Sequence, residues 1–219
     1  MSVEKLICAN IGCGMNPTDG WYNFDNSLSV KLAKHSSFSS LLKTTGLISE
    51  ERYRFIDFLV NADVRYAQVS KHLPFSNAYL DVVYSSHMLE HLDRSEALGF
   101  LSEARRTLKQ GGIIRLAVPD LSKLVETYRE KRNANEFIAS LMMHQEVPQN
   151  MRESVRMRLV TFRGHRWMYD KESLCLLLTQ NGFRDPLVLA PGETQITDPG
   201  KLDLWERSDE SLYVEAYRS

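Results

Sequence analysis

A chain of 219 residues is long enough for one domain with a real core, and 43% hydrophobic with 25% charged residues is ordinary for a soluble globular protein. A formal net charge of −1 gives no general attraction to nucleic acid or to an anionic membrane, and no apolar stretch approaches the ~20 residues of a bilayer span. Three cysteines (Cys8, Cys13, Cys175) without metal-ligand spacing, and an N-terminus unlike a signal peptide, place the expected location in the reducing cytoplasm.

Leu6–Ile11 reads as a buried strand stopped by Gly12, and Trp21–Phe24, before Asp25, as a second. Leu41–Leu47 and Glu50–Leu59 are short helical candidates, the latter opened by Ser49 as a cap. Val64–Ala67 is a third strand, and the two-sided apolar run Leu80–Tyr84 has the character of a central parallel strand. Asp93-x-x-Glu96 is a variant capping box, followed by a stripe of Ala97, Leu98, Leu101, Ala104 and Leu108 at helical period, with Gly111-Gly112 as the stop. Ile113–Val118 is a fifth strand, after which Asp120 caps a helix running through Tyr128 and beyond. Asn133 to Arg163 is helical in pattern apart from Pro148, and a helical insertion or lid is expected around 129–165. Asp170 caps a helix that Asn181-Gly182 ends; Phe183, Val188 and Leu189 begin a sixth strand, and Ser211–Tyr217 is a seventh. Strands alternating with helices imply a mostly parallel, doubly wound α/β sheet in one domain over 1–219.

In such a sheet, ligands bind beyond the carboxyl ends of the strands. Gly12 and Gly14 lie just past the first strand, and Asp25 ends the second, where a carboxylate can accept from both hydroxyls of a ribose. Together they specify a nucleoside-containing ligand. A dinucleotide fold wants G-x-G-x-x-G opening a helix with its acid ~20 residues on; here the third glycine position is Pro17, and Asp25 comes too early for an intervening helix. Without that helix no N-terminus holds a pyrophosphate, which disfavours a nicotinamide or flavin cofactor; S-adenosylmethionine carries no phosphate and needs none.

"NIGCG…GWYNFD", "HLPFSNAYLDVVYSSHMLEHL" and "ARRTLKQGGIIRLAVPD" together resemble the class I S-adenosylmethionine-dependent methyltransferases, particularly the type 11 group. The resemblance spans roughly residues 5–120 and, weakly, 164–183. It implies a Rossmann-like seven-stranded sheet with helices on both faces and a shortened first crossover. It further implies that Gly12, Cys13 and Gly14 lie under the methionine part of the cofactor, and that Asp25, with Asn26 beside it, holds the ribose. Gln68, followed by Val69, takes the adenine-side place where the family usually has an acid; a carboxamide can also accept from the adenine amine. Asp63 is a poorer candidate because it precedes the strand. Ser85, Ser86 and His87 would face the methionine end and the acceptor.

The acceptor implied is a small molecule or glycan-type hydroxyl, with neither nucleic acid nor membrane as partner. His87 is the first candidate base and His165 the second, in "GHRW" after a run of arginines at 152, 156, 158 and 163. Trp167 is expected to anchor in the core if it does not line the acceptor pocket, and Phe137, Met142 and Met143 are expected to be core. No metal is assigned, although His87-Met-Leu-Glu90-His91 differs by one residue from the E-x-x-E-H with which some O-methyltransferases bind a divalent ion. A metal-assisted O-methyltransferase using His87, Glu90 and His91 is therefore one alternative, and a non-catalytic cofactor-binding module is another.

Overall fold

The computed structural model describes residues 5–33, 48, 50–143 and 164–219. Its strands are β1 (Cys8–Ile11), β2 (Tyr22–Asp25), β3 (Val64–Tyr66), β4 (Leu80–Ser86), β5 (Leu108–Pro119), β6 (Phe183–Leu189) and β7 (Ser211–Arg218). They form one sheet in the order β3-β2-β1-β4-β5-β7-β6, parallel throughout except β7, which runs against both neighbours. The reversal at β1 puts the chain's first turn at a switch in strand order, where a crevice opens above the strands' carboxyl ends.

Parallel strands buried on both faces need cover on both, and here the two covers differ. One face carries Ala9, Ile11, Val83, Ile114, Leu116 and Val214, packed under α3 (Arg94–Thr107) and α6 (Lys171–Gln180). On the other, α1 (Leu28–Ala33) and α2 (Glu50–Asn61) cover Val64 and Tyr66 through Val30, Phe55 and Leu59. Further along that face Cys8, Val82 and Tyr84 meet Trp21, Ile196 and Leu202, which come from connecting segments rather than helices. A buried ion pair fastens one of those segments: Arg115 donates to Glu215 at 2.7 Å, and Glu215 also accepts from Thr194 Oγ1 and Gln195 N at 2.7 Å each.

The β1–β2 connection, residues 12–21, crosses without a helix, as the early Asp25 requires. Two asparagines paired in register, Asn10 and Asn23, replace helix packing with hydrogen bonds. Asn10 Nδ2 donates to Asn16 O and Thr18 Oγ1, while Asn23 accepts from Thr18 N and donates to the Thr18 and Trp21 carbonyls. An acid at position 10 could not donate these bonds.

Several expectations shift. The Asp93 capping box is present, but α3 ends at Thr107, and Gly111-Gly112 lies inside β5. Leu80 pairs with Leu108 and Val82 with Ile113, so the glycines form a bulge that leaves the ladder continuous on either side. A Cβ on Gly112 would sit 3.0 Å from the Asp81 carbonyl oxygen, which explains the missing side chain. Phe100, not Leu98, joins the buried stripe of α3; Leu98 faces solvent. Met142, Met143 and Trp167 are exposed rather than core, and Trp167 lies under the Arg94 guanidinium, 4.7 Å from its ring centre. The helical expectation at 41–47, the Ser49 cap, the four arginines and residues 144–163 of the insertion fall outside the described residues. The part of the insertion that is described contains the end of α4 (Leu121–Lys131) and α5 (Ala134–Ser140).

Candidate active site

Past β1 the chain turns sharply so that the backbone N–H groups of Gly12 and Cys13 both reach the Phe24 carbonyl, at 2.8 and 3.1 Å. Both glycines are left-handed, with φ of +76° at Gly12 and +52° at Gly14, which side chains resist. They face different surroundings. A Cβ on Gly12 would meet Met88 Cγ at 2.5 Å, whereas one on Gly14 would have nothing within 4 Å. Gly14 is therefore bare peptide bordering open space.

Asp25 closes that space. It is 9% exposed, and its Oδ1 accepts from Ser27 N at 2.7 Å and its Oδ2 from Gly14 N at 3.2 Å. A carboxylate offers about four lone pairs, so two remain for a ligand. The buried Arg52 guanidinium interacts with it electrostatically; burial lowers the Arg52 pKa and Asp25 partly restores it. Asn26 follows, exposed. Burial, and then the Asp25 charge, push the Cys13 thiol up to about 12, so it is a neutral small residue rather than a nucleophile.

Gln68 lies just past β3 on the same edge, exposed, while the Val69 side chain is spent in the core. The loop carrying them is pinned from α3: Glu103 accepts from Leu73 N at 2.8 Å, and Arg106 donates to the Leu73 and Phe75 carbonyls. These bonds hold the Leu73-Pro74-Phe75 backbone in place. Asp63 stands at the far end of β3, 3.6 Å from Arg65, too remote to share the site. Ser85 donates to the Ile11 carbonyl at 2.8 Å, tying β4 to β1, and Ser86 follows it half-buried at the strand's end. A separate cavity of about 660 Å³, bordered by Lys5, Trp21, Asp63, Arg65 and Tyr79, opens at the amino ends of the strands; Gly12, Gly14, Asp25, Gln68, Ser85 and Ser86 do not line it.

His87 leaves β4 with φ of +46°, its N–H on the Ala117 carbonyl. Its ring nitrogens are engaged: Nε2 lies 2.8 Å from Ser211 Oγ, and Nδ1 lies 3.2 Å from Arg207 Nη1 and 3.4 Å from Glu90 Oε1. Ser211 and Arg207 were invisible as site residues in the sequence, since no local signal links them to position 87. The 164–167 segment docks here through backbone bonds, with Arg166 N and Trp167 N on the Glu90 carbonyl and His165 N on the Met142 carbonyl. That brings His165 and His91 into edge contact, ring centres 5.0 Å apart. Burial holds the His165 pKa below the ordinary histidine value; Glu90 opposes this.

A switch in strand order, bare peptide bordering open space and a carboxylate with spare acceptor capacity beside it suit a nucleoside ligand. Residues 45–116 match the family model of a methyltransferase domain. Among solved structures, a Methanosarcina mazei S-adenosylmethionine-dependent methyltransferase superposes with a TM-score of 0.53 at 15% identity, covering 99% of this chain and 93% of that one. A putative S-adenosylmethionine-dependent methyltransferase from Listeria monocytogenes gives 0.50 at 13%, covering 98% and 91%. No curated protein matches the sequence. The fold is therefore that of the class I S-adenosylmethionine-dependent methyltransferases, and about a third of the chain matches a methyltransferase-domain model.

Proposed function

We propose that the protein is an S-adenosylmethionine-dependent methyltransferase acting on a hydroxyl of a small molecule or glycan-type acceptor, with the cofactor across the carboxyl ends of β1, β2 and β4. The observation that carries this reading is the pairing of open space at Gly14 with the part-satisfied carboxylate of Asp25. In it, Gly12, Cys13 and Gly14 support the amino-acid tail, Asp25 and Asn26 hold the ribose, Gln68 and the Val69 backbone border the adenine, and Ser85 and Ser86 close the floor. Bound there, the cofactor supplies a methyl group already activated on a sulfonium, so the protein's task is alignment and exclusion of water.

His87 and His165 belong to the acceptor side. His87, held between Ser211 and Arg207, serves to shape and orient that side. The neutral His165 keeps its Nδ1 free of hydrogen bonds among the described residues, available to an acceptor proton or to a cation. No described helix is long and apolar enough to cross a membrane, and the three cysteines are free thiols, which supports a reducing cytoplasm.

Calorimetric titration tests the reading. Wild type should bind S-adenosylmethionine and S-adenosylhomocysteine but not NAD, and Asp25→Ala should weaken both by about tenfold or more through lost charge-assisted bonds. Equal affinity in the two proteins would remove Asp25 from the ribose site. Labelled methyl offered with cell extract would then identify the acceptor class; binding without turnover on any acceptor pool would make the protein a cofactor-binding module instead.

A further inference from the structure

Glu90 is 0% exposed, yet neither of its carboxylate oxygens has a hydrogen-bond partner among the described residues. Glu215, equally buried, shows what a satisfied carboxylate looks like in this fold, with an arginine, a hydroxyl and a backbone N–H on its oxygens. An enclosed carboxylate without such partners carries a penalty of several kcal/mol unless a cation neutralises it. What surrounds Glu90 is histidine. His91 Nε2 lies 3.9 Å from Glu90 Oε1, and ligand atoms of Glu90, His91 and His165 all lie within 4.8 Å of one another. Bonds of ~2.0–2.1 Å to one ion would place such atoms on the order of 3–4 Å apart, a contraction within reach of side-chain rotation.

The outer contacts orient these groups as ligands. His91 Nδ1 faces the Gly164 carbonyl at 3.4 Å, which puts the ring proton there and leaves the Nε2 lone pair on the Glu90 side. The His165 Nδ1 is buried without a hydrogen-bond partner among the described residues. His87, which the sequence pattern offers as third ligand, is diverted: a guanidinium donates toward its Nδ1. The fold substitutes His165, brought in by the backbone bonds of residues 165–167.

We propose that Glu90, His91 and His165 form a binding site for one divalent first-row metal ion. Two imidazoles and one carboxylate suit Zn²⁺, Mn²⁺, Fe²⁺ or Co²⁺ better than Mg²⁺ or Ca²⁺, which favour all-oxygen sets. Three protein ligands leave coordination positions for acceptor oxygens, and a hydroxyl bound to such an ion sheds its proton more readily, which would relieve His165 of any role as base.

The test uses the untagged full chain, stripped with chelator and titrated with Co²⁺, followed by Zn²⁺. One equivalent of Co²⁺ should bind with a visible d–d absorption that Zn²⁺ abolishes. Glu90→Gln and His165→Gln should each weaken Co²⁺ binding by roughly 100-fold, while affinity for S-adenosylhomocysteine stays within about threefold of wild type. Should either buried variant fail to fold, His91→Gln, at a side chain 28% exposed, reads the same loss. Absence of a stoichiometric Co²⁺ complex in wild type, or undiminished binding in folded variants, would overturn the site. Cofactor binding is read separately, so failure here leaves the Asp25 assignment standing.

Discussion

Gly12 and Gly14 share a left-handed backbone but serve different ends, and substitution separates them. Alanine at Gly12 adds a clash with Met88, at 2.5 Å, to the cost of the positive φ, so Gly12→Ala should destabilise by about 2–4 kcal/mol in chemical denaturation. Alanine at Gly14 meets only open space, and Gly14→Ala should cost about 1 kcal/mol. Its larger effect should be on S-adenosylhomocysteine affinity, with a loss of about tenfold or more as the methyl group enters the ledge. A sequence shows that both positions need glycine, because side-chain-free turns after a strand have few other uses. It cannot show which faces Met88 and which faces open space, since that depends on how the turn after β4 packs. The same limit hid Arg207 and Ser211, which meet His87 only after the β6–β7 connection has folded back over the sheet.

That connection is the element for which the sequence offers least warning. Strands and capped helices were legible because their signals are local: Asp93 with Glu96, Asp120 and Asp170 each cap the helix they precede. Residues 190–210 carry no periodicity, yet they cover one sheet face and reach both sides of the site. Glu206 accepts from Tyr84 Oη at 2.8 Å and from Asn16 Nδ2 at 2.9 Å, linking this segment to the glycine loop. Its anchor to the sheet is the Arg115–Glu215 pair, with side chains 0% and 1% exposed. Arg115→Met should therefore destabilise by about 3–5 kcal/mol, because it strands the Glu215 charge in the interior. Arg115→Met combined with Glu215→Leu should recover part of that loss in urea unfolding, the apolar pair being free of the stranded charge. A double variant no more stable than the single one would assign the cost to packing.

Across the whole molecule, the family-model match at residues 45–116 falls inside the 5–120 span of the sequence resemblance, and it includes the Leu73–Phe75 loop and the helix that pins it. Its stability depends on carboxylates in a consistent direction. Hydrogen bonds from Arg106, then from the Leu73 backbone, hold Glu103 below the ordinary 4.5, and capping bonds do the same for Asp93 and Asp170 relative to 3.8. A carboxylate whose folded pKa is depressed contributes its stability above the unfolded value and loses it as pH falls through the folded value. Thermal midpoints should therefore drop as pH is lowered below the ordinary carboxylate values and through the depressed folded-state ones, where these groups protonate. Glu103→Gln isolates one contribution: at neutral pH it should lose about 1–2 kcal/mol, or a few degrees in Tm, because Leu73 N and Arg106 exchange a charged acceptor for a neutral one. The gap to wild type should narrow as pH falls through the depressed folded-state pKa of Glu103, below which the group is neutral in both states and the carboxylate advantage is gone. A gap that stays constant across that range would show that Glu103 acts through shape alone, and that the Leu73–Phe75 loop is held by the Arg106–carbonyl bonds without it.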